Sequence, residues 1–140
     1  MGFDPMIVLD ASFLVAYFNE DDARHAAART AWPDVVDGRW GPALLPEYIF
    51  LEVVTVLASR RGLEKAAGWG TQLLDASEFE FVNCSPYFQA AFEAFRVQRT
   101  TKMSMADASI LAIAKARGAD HVATFDNDFR KVSGISVVPA

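Results

Sequence analysis

Four acidic residues stand at positions where burial works against charge. Asp10 closes the apolar run Ile7-Val8-Leu9, and Asp126 follows the mostly apolar stretch "HVATF". Glu52 interrupts "YIFLEVVTVL". It lies three residues after Ile49 and four before Val56, which puts it within or beside the apolar helical face of Ile49, Val53, Val56 and Leu57. Asp107, in "SMADASILAIA", has Met103, Ile110, Leu111 and Ala114 at −4, +3, +4 and +7 along one helical stripe. A buried unpaired carboxylate tends to take up a proton, and several in one place repel one another. For any one of the four, an arginine partner or a helix N-terminus is a sufficient explanation. For four acids directed at one place, a shared Mg²⁺ or Mn²⁺ explains more, because these hard cations prefer carboxylate and water oxygens. No cysteine/histidine cluster points to zinc.

Small polar residues flank the acids. Ser12 can bond Asp10 or a phosphate, or cap the helix that begins there. Thr124 and Asn127 neighbour Asp126; Thr124 suits a supporting role and is equally an ordinary strand residue. Asp128, in "DNDF", reads as a turn-stabilising aspartate ahead of a direct ligand. The other acids examined, Asp21 and Asp22 among them, read as solvated surface.

The elements that must position these residues alternate. Short apolar runs at "MIVLD", "GPALLP", "FEFVNC", "DHVATF" and "ISVVP" read as strands. Between them lie helical stretches. One begins at "SFLVAYFN" with Ser12 near its cap, and an alanine-rich helix ends around Pro33 and Gly38. "EYIFLEVVTVLASRRG" is a helix stopped at Gly62, and "LEKAAGWGTQLLDAS" is another, weakened by Gly68 and Gly70. Ser85 and Pro86 read as N-cap and first residue of a helix over residues 85–100, and Ser104 caps the Asp107 helix, which closes at Gly118. Alternation of this kind predicts right-handed crossovers and a mainly parallel sheet covered on both faces, an α/β/α sandwich. Its site is expected at the carboxyl ends of the strands, where strand order reverses. Asp10 and Asp126 would then emerge on the same edge.

Length and composition set outer bounds. At 140 residues, with 52% hydrophobic and 22% charged residues, residues 1–140 suit one domain with a real core and are not expected to be disordered. A single cysteine, Cys84, excludes an internal disulfide and fits a reducing, cytoplasmic setting. No apolar run approaches the roughly 18–20 residues that span a bilayer, so no membrane association is expected. The N-terminal "MGFDPMIVLD" lacks the basic and long apolar segments of a secretory signal, and Met6 is a candidate start. The net charge of −5 argues against a generic polyanion binder. A bound cation or a local basic patch can still reverse the field at a site.

The ordered set Asp10-x-Ser12, Glu52 in an apolar helix, Asp107 in "SMADASI", then "TFDNDF", resembles the PIN-domain family, and within it the VapC-type toxin ribonucleases of toxin–antitoxin pairs. The resemblance runs from Ile7 to Val138. It implies a fold similar to the 5′-nucleases and hydrolysis of RNA phosphodiesters with one or two Mg²⁺ or Mn²⁺ ions. Asp10, Glu52 and Asp107 would be the main acidic triad, Asp126 the fourth acid and Ser12 the companion of the first. It also implies a homodimer and a cognate antitoxin covering the acidic site. Phe125 departs from the pattern, since such proteins often carry a polar residue there. Hydrolysis by a metal-activated water implies 5′-phosphate and 3′-hydroxyl ends.

Neither histidine suits general-base work, since His25 falls in the alanine-rich helix and His121 opens a strand. Three basic groups lie near the acids or a helix junction: Arg60, Arg61 and Lys65; Arg96, Arg99 and Lys102; Arg130 and Lys131. The second and third can steer phosphates, although solvated surface is the ordinary reading of each. "YIFLEVVTVLASRRG" and "WGTQLLDA" carry more apolar residues than one helix face needs, which suggests a partner surface. Two rival functions remain. A phosphatase or phosphotransfer domain of doubly wound type also ends a strand in aspartate. A dehalogenase-type nucleophile would want a second aspartate at position 12, where Ser12 stands, and a receiver domain would want a lysine near a late strand end. A non-catalytic interaction module of the same fold would be expected to have lost some of the four acids.

Overall fold

Three-residue strands dominate the sheet, and its inner strands are buried between helices while the edge strands are partly exposed. The computed structural model describes residues 5–140; residues 1–4, within the stretch that precedes Met6, lie outside the described part. In chain order the elements are β1 (Ile7–Leu9), α1 (Ala11–Phe18), α2 (His25–Val36), β2 (Ala43–Pro46), α3 (Glu47–Arg61), α4 (Leu63–Asp75), β3 (Phe79–Val82), α5 (Phe88–Arg96), α6 (Met105–Arg117), β4 (His121–Ala123) and β5 (Ser136–Val138). A 3₁₀ turn, Ser85–Tyr87, precedes α5, and another, Asn127–Lys131, follows β4.

The five strands are all parallel, in the order β3-β2-β1-β4-β5. The chain winds outward from β1 through β2 to β3, then returns to the other side of β1. The order therefore reverses between β1 and β4, and Leu9 pairs with Ala123 at that point. β1 is fully buried along its length, as its unbroken apolar run requires of a central parallel strand.

Two helix boundaries differ from expectation. Residues 85–100 do not form one helix: Ser85 and Pro86 lie in the 3₁₀ turn, and α5 ends at Arg96. Nothing caps α5 with a side chain, and Phe88, Phe92 and Phe95 remain exposed. Second, Ser12 is the second residue of α1, and Asp10 occupies the N-cap position. α4 runs unbroken through both its glycines. At Gly70 a Cβ would stand 3.0 Å from Val54 Cγ1, so the missing side chain lets α3 and α4 approach closely.

α6 is the best-specified helix. The Ser104 side chain accepts from the Asp107 N–H (3.1 Å), and the Asp107 carboxylate accepts from the Ser104 N–H (3.2 Å), a reciprocal capping box. At its other end Gly118 adopts φ +74° and its N–H returns to the Ala114 carbonyl. Ile110, Ile113 and Ala114 are buried, and α6 contacts β1, α3 and α5.

Candidate active site

The carboxyl edge of β1 and β4 builds the floor. Because Leu9 and Ala123 are in register, the next residues, Asp10 and Thr124, leave the sheet side by side, and the Asp10 N–H donates to the Ala123 carbonyl (3.0 Å). Thr124 Oγ1 donates to Asp10 Oδ2 at 2.6 Å, and Ser12 Oγ donates to the same oxygen at 2.8 Å. Ser12 also accepts the Phe125 N–H (2.9 Å), and Thr124 accepts the Asp126 N–H (2.9 Å). One carboxylate oxygen is thus held by two hydroxyls that also fix the chain after β4. The other, Asp10 Oδ1, is buried and has no hydrogen-bond partner among the described residues. Asp10 is only 2% exposed, so that orphan oxygen is a costly feature that invites a cation.

Three other elements bring acids to the same cleft, whose volume is about 440 Å³. Asp10, Glu52 from α3, Asp107 from α6 and Asp126 after β4 all line it. Glu47 helps set α3: its carboxylate accepts the Cys84 N–H (2.9 Å), which ties the first turn of the helix to the segment after β3. Ile49, Val53 and Leu57 are fully buried, whereas Val56 is half-buried and faces the cleft with Glu52. Asp107 does not sit on the fully buried stripe of α6, as the spacing had suggested. It is half-buried at the third position of the helix, where the capping box holds it. Leu111 is likewise half-buried.

The acids oppose one another. Burial raises the Asp10 pKa above the ordinary carboxylate value, against the hydrogen bonds from Thr124 and Ser12, and the Glu52 charge raises it further. Burial and the Asp107 charge raise Glu52. Burial, then the charges of Asp10 and Asp126, push Asp107 up to about 6, against the hydrogen bonds at Ser104. A cation bound among these carboxylates would favour their charged forms and offset both effects.

Among the described residues, no three histidine, cysteine or acidic side chains are close enough to make a ready ligand cage. The fit to a cation rests on other features, since Mg²⁺ keeps several of its waters and needs only one or two carboxylates together with substrate phosphates. The orphan Oδ1 and the mutually repelling acids fit such an ion; a closed cage of the structural-zinc type does not.

Asp128 points elsewhere. Its carboxylate accepts the Lys102 N–H (2.9 Å) and pairs with Lys131 Nζ (3.1 Å), which itself donates to the Thr100 carbonyl (3.2 Å). These bonds lower its pKa. They strap the turn carrying Asp126 to the loop that leads into α6. Asn127 is exposed. Neither histidine lines the cleft: His25 Nδ1 lies 2.7 Å from the Ala16 carbonyl, and His121 Nδ1 the same distance from Asp120. Of the basic groups, Arg60 lines the cleft, Arg61 pairs with Asp21 and Glu20, and Arg96 pairs with Glu93.

Two cleft residues, Asp22 and Arg24, escaped the sequence reading. They lie in the charged stretch "DDAR", which periodicity alone assigns to solvent. Asp22 is half-buried and Arg24 exposed there, in a loop whose Asp21 pairs with Arg61.

A parallel sheet that reverses at β1/β4 and collects acids from a strand end, two helices and a post-strand turn defines the acidic-cleft α/β class to which PIN domains belong. The chain is a member of the PIN domain family, matched over residues 7–135. It is 29% identical over 138 residues to the 23S rRNA-specific endonuclease VapC20 of Mycobacterium tuberculosis, covering 96% of this chain and 99% of that protein. The crystal structure of that VapC20, a sarcin-ricin loop cleaving toxin, shares the fold with a TM-score of 0.80 at 23% identity, covering 91% of this chain and 95% of that one. VapBC2 from Rickettsia felis, solved with a DNA fragment from its promoter, shares it with a TM-score of 0.67 at 13% identity, covering 94% and 96%.

Proposed function

We propose that this chain is a divalent-metal-dependent endoribonuclease and the toxin of a type II toxin–antitoxin pair. The observation that carries this reading is the convergence of Asp10, Glu52, Asp107 and Asp126 on one cleft with Asp10 Oδ1 left unpartnered. The four acids would hold one or two Mg²⁺ or Mn²⁺ ions. Such an ion lowers the pKa of an attacking water and stabilises the negative charge that develops on the departing oxygen. The chain's own residues do the positioning. Thr124 and Ser12 fix Asp10 with one oxygen turned away from them and free. The capping box fixes Asp107, and the Thr124 hydroxyl anchors the backbone of Asp126. The products expected are a 5′-phosphate and a 3′-hydroxyl.

The likeness to VapC20 supports RNA as substrate, and the toxin–antitoxin proteins among the structural relatives, including one from Klebsiella pneumoniae, support an antitoxin partner. Exposed Leu51, Leu63 and Leu74 on α3 and α4 offer an apolar surface for a homodimer or for that partner. No helix among the described residues is long and apolar enough to cross a membrane. The phosphotransfer alternative lacks support at position 12, where Ser12 bonds Asp10 and is placed as its anchor.

The test is cleavage of structured and unstructured RNA by the wild type and by Asp10→Asn, in Mg²⁺, Mn²⁺ and EDTA. The proposal expects metal-dependent cleavage, lost in EDTA and reduced on the order of a thousandfold in the variant. Metal-independent cleavage, or equal rates for the two proteins, would overturn it.

A further inference from the structure

The acid cleft also contains two arginines that do not neutralise its acids. Arg24, in the loop between α1 and α2, and Arg60, on α3, both line it. Among the described residues neither forms an ion pair, although five carboxylates, those of Asp10, Asp22, Glu52, Asp107 and Asp126, line the same cleft. Both residues are exposed, so their guanidiniums are open to a ligand entering the cleft.

Arg24 is held at its backbone and touches an aromatic ring with its side chain. Its N–H donates to Asp22 Oδ1 (2.8 Å), and the loop is anchored to α3 through the pairing of Asp21 with Arg61, whose side chain is only 18% exposed. Its guanidinium sits over the Phe125 ring, 5.7 Å from the centroid. Phe125 in turn stacks on the fully buried Phe13, with centroids 6.0 Å apart, and its N–H is held by Ser12. Phe125 is thus a rigid seat, built on the same hydroxyl that fixes Asp10. A non-aromatic residue at position 125 could not provide that face.

We propose that Arg24 and Arg60 form a phosphate clamp across the acid cleft, binding the RNA backbone on either side of the bond to be cut, and that Phe125 is the positioning residue for Arg24. This rests on the ribonuclease reading of the same cleft. The clamp reconciles an acidic protein with a polyanionic substrate. Metal charge answers the acids, and the two unpaired guanidiniums answer the flanking phosphates with the forked donor geometry that phosphate oxygens match. The clamp contacts backbone, so it sets affinity and register and carries no base sequence.

The assay is equilibrium binding of a fluorescent single-stranded oligoribonucleotide in Mg²⁺, across a salt series, with Asp107→Asn as the cleavage-blocked background. Adding Arg24→Ala or Arg60→Ala is expected to weaken binding about tenfold each. Each should flatten the slope of log affinity against log salt by about 0.7, one phosphate contact on a single strand. Arg24→Lys should restore the slope and part of the affinity. Phe125→Leu, which keeps apolar contact with Phe13, should weaken binding about two- to fivefold, and this loss should vanish in an Arg24→Ala background. Unchanged affinity and slope for both arginine variants would overturn the clamp, and a Phe125→Leu loss that persists without Arg24 would overturn the seat. Either failure is distinct from failure of the ribonuclease reading, which would show as a wild type that cuts no RNA in Mg²⁺ or Mn²⁺.

Discussion

Replacing Asp107 with asparagine should stabilise the metal-free protein at neutral pH. Asparagine retains an oxygen that can accept the Ser104 N–H, so the capping box survives while the charge is removed. In the folded chain the Asp107 carboxyl titrates at about 6, against 3.8 for the unperturbed group. A group whose folded pKa is raised binds more protons when folded than when unfolded between those two values. Its contribution therefore favours folding at low pH and is lost as pH rises from about 4 through about 6. A shift of that size corresponds to about 3 kcal/mol. Because Asp107 is only half-buried, solvent screening reduces this to about 1–2 kcal/mol. For a chain of this length that is about 3–8 °C in Tm. The assay is thermal and urea unfolding of wild type and Asp107→Asn in EDTA at pH 4 and pH 7.5. The stability of the variant relative to the wild type should improve by that amount between the two pH values. Adding Mg²⁺ should narrow the gap, because the wild type gains more from binding. A variant less stable than the wild type at pH 7.5 in EDTA, with no improvement from pH 4, would show that Asp107 serves the fold and not a cation.

Two further substitutions probe the residues that hold the acids. Thr124→Val keeps shape but removes the hydroxyl that bridges Asp10 and the Asp126 backbone; cleavage should fall about 10–100-fold, measured at saturating metal, and a wild-type rate would deny Thr124 its role. Asp128→Ala unstraps the Asp126 turn from the loop before α6; single-turnover kcat should fall about threefold to tenfold while KM changes little, and a loss confined to KM would place Asp128 in substrate contact instead.

Much of the fold was legible because its signals are local and redundant. The run Ile7-Val8-Leu9 reads as a strand buried on both faces, and Ser104 and Gly118 mark both ends of α6 through capping chemistry that operates within a few residues. Register then does the rest: once β1 pairs with β4, Asp10 and Thr124 must be neighbours. Less legible were features set by distant contacts. Ser12 reads as a helix cap or as a partner of Asp10, and its bond to Asp10 is local, but its bond to the Phe125 N–H exists only because β4 lies beside β1. Asp107 reads as part of a buried stripe, whereas its place in the first turn leaves it half-exposed at the cleft rim. Arg24 carries no sequence signal at all, since its place at the cleft, over the Phe125 ring and in a loop whose Asp21 pairs with Arg61, is set by contacts distant in sequence. The 3₁₀ turn at Ser85–Tyr87 shows the limit of cap signals, as Ser-Pro is equally at home in a turn that precedes a helix.

The shared cation is tested most directly by soaking crystals of the protein in Mn²⁺ and locating the metal by its anomalous signal. We expect a manganese ion within about 2.0–2.6 Å of Asp10 Oδ1, with Asp107, Glu52 or Asp126 reaching it directly or through water. A cleft that stays empty of metal at saturating Mn²⁺, with Arg24 or Arg60 folded onto the acids, would contradict it.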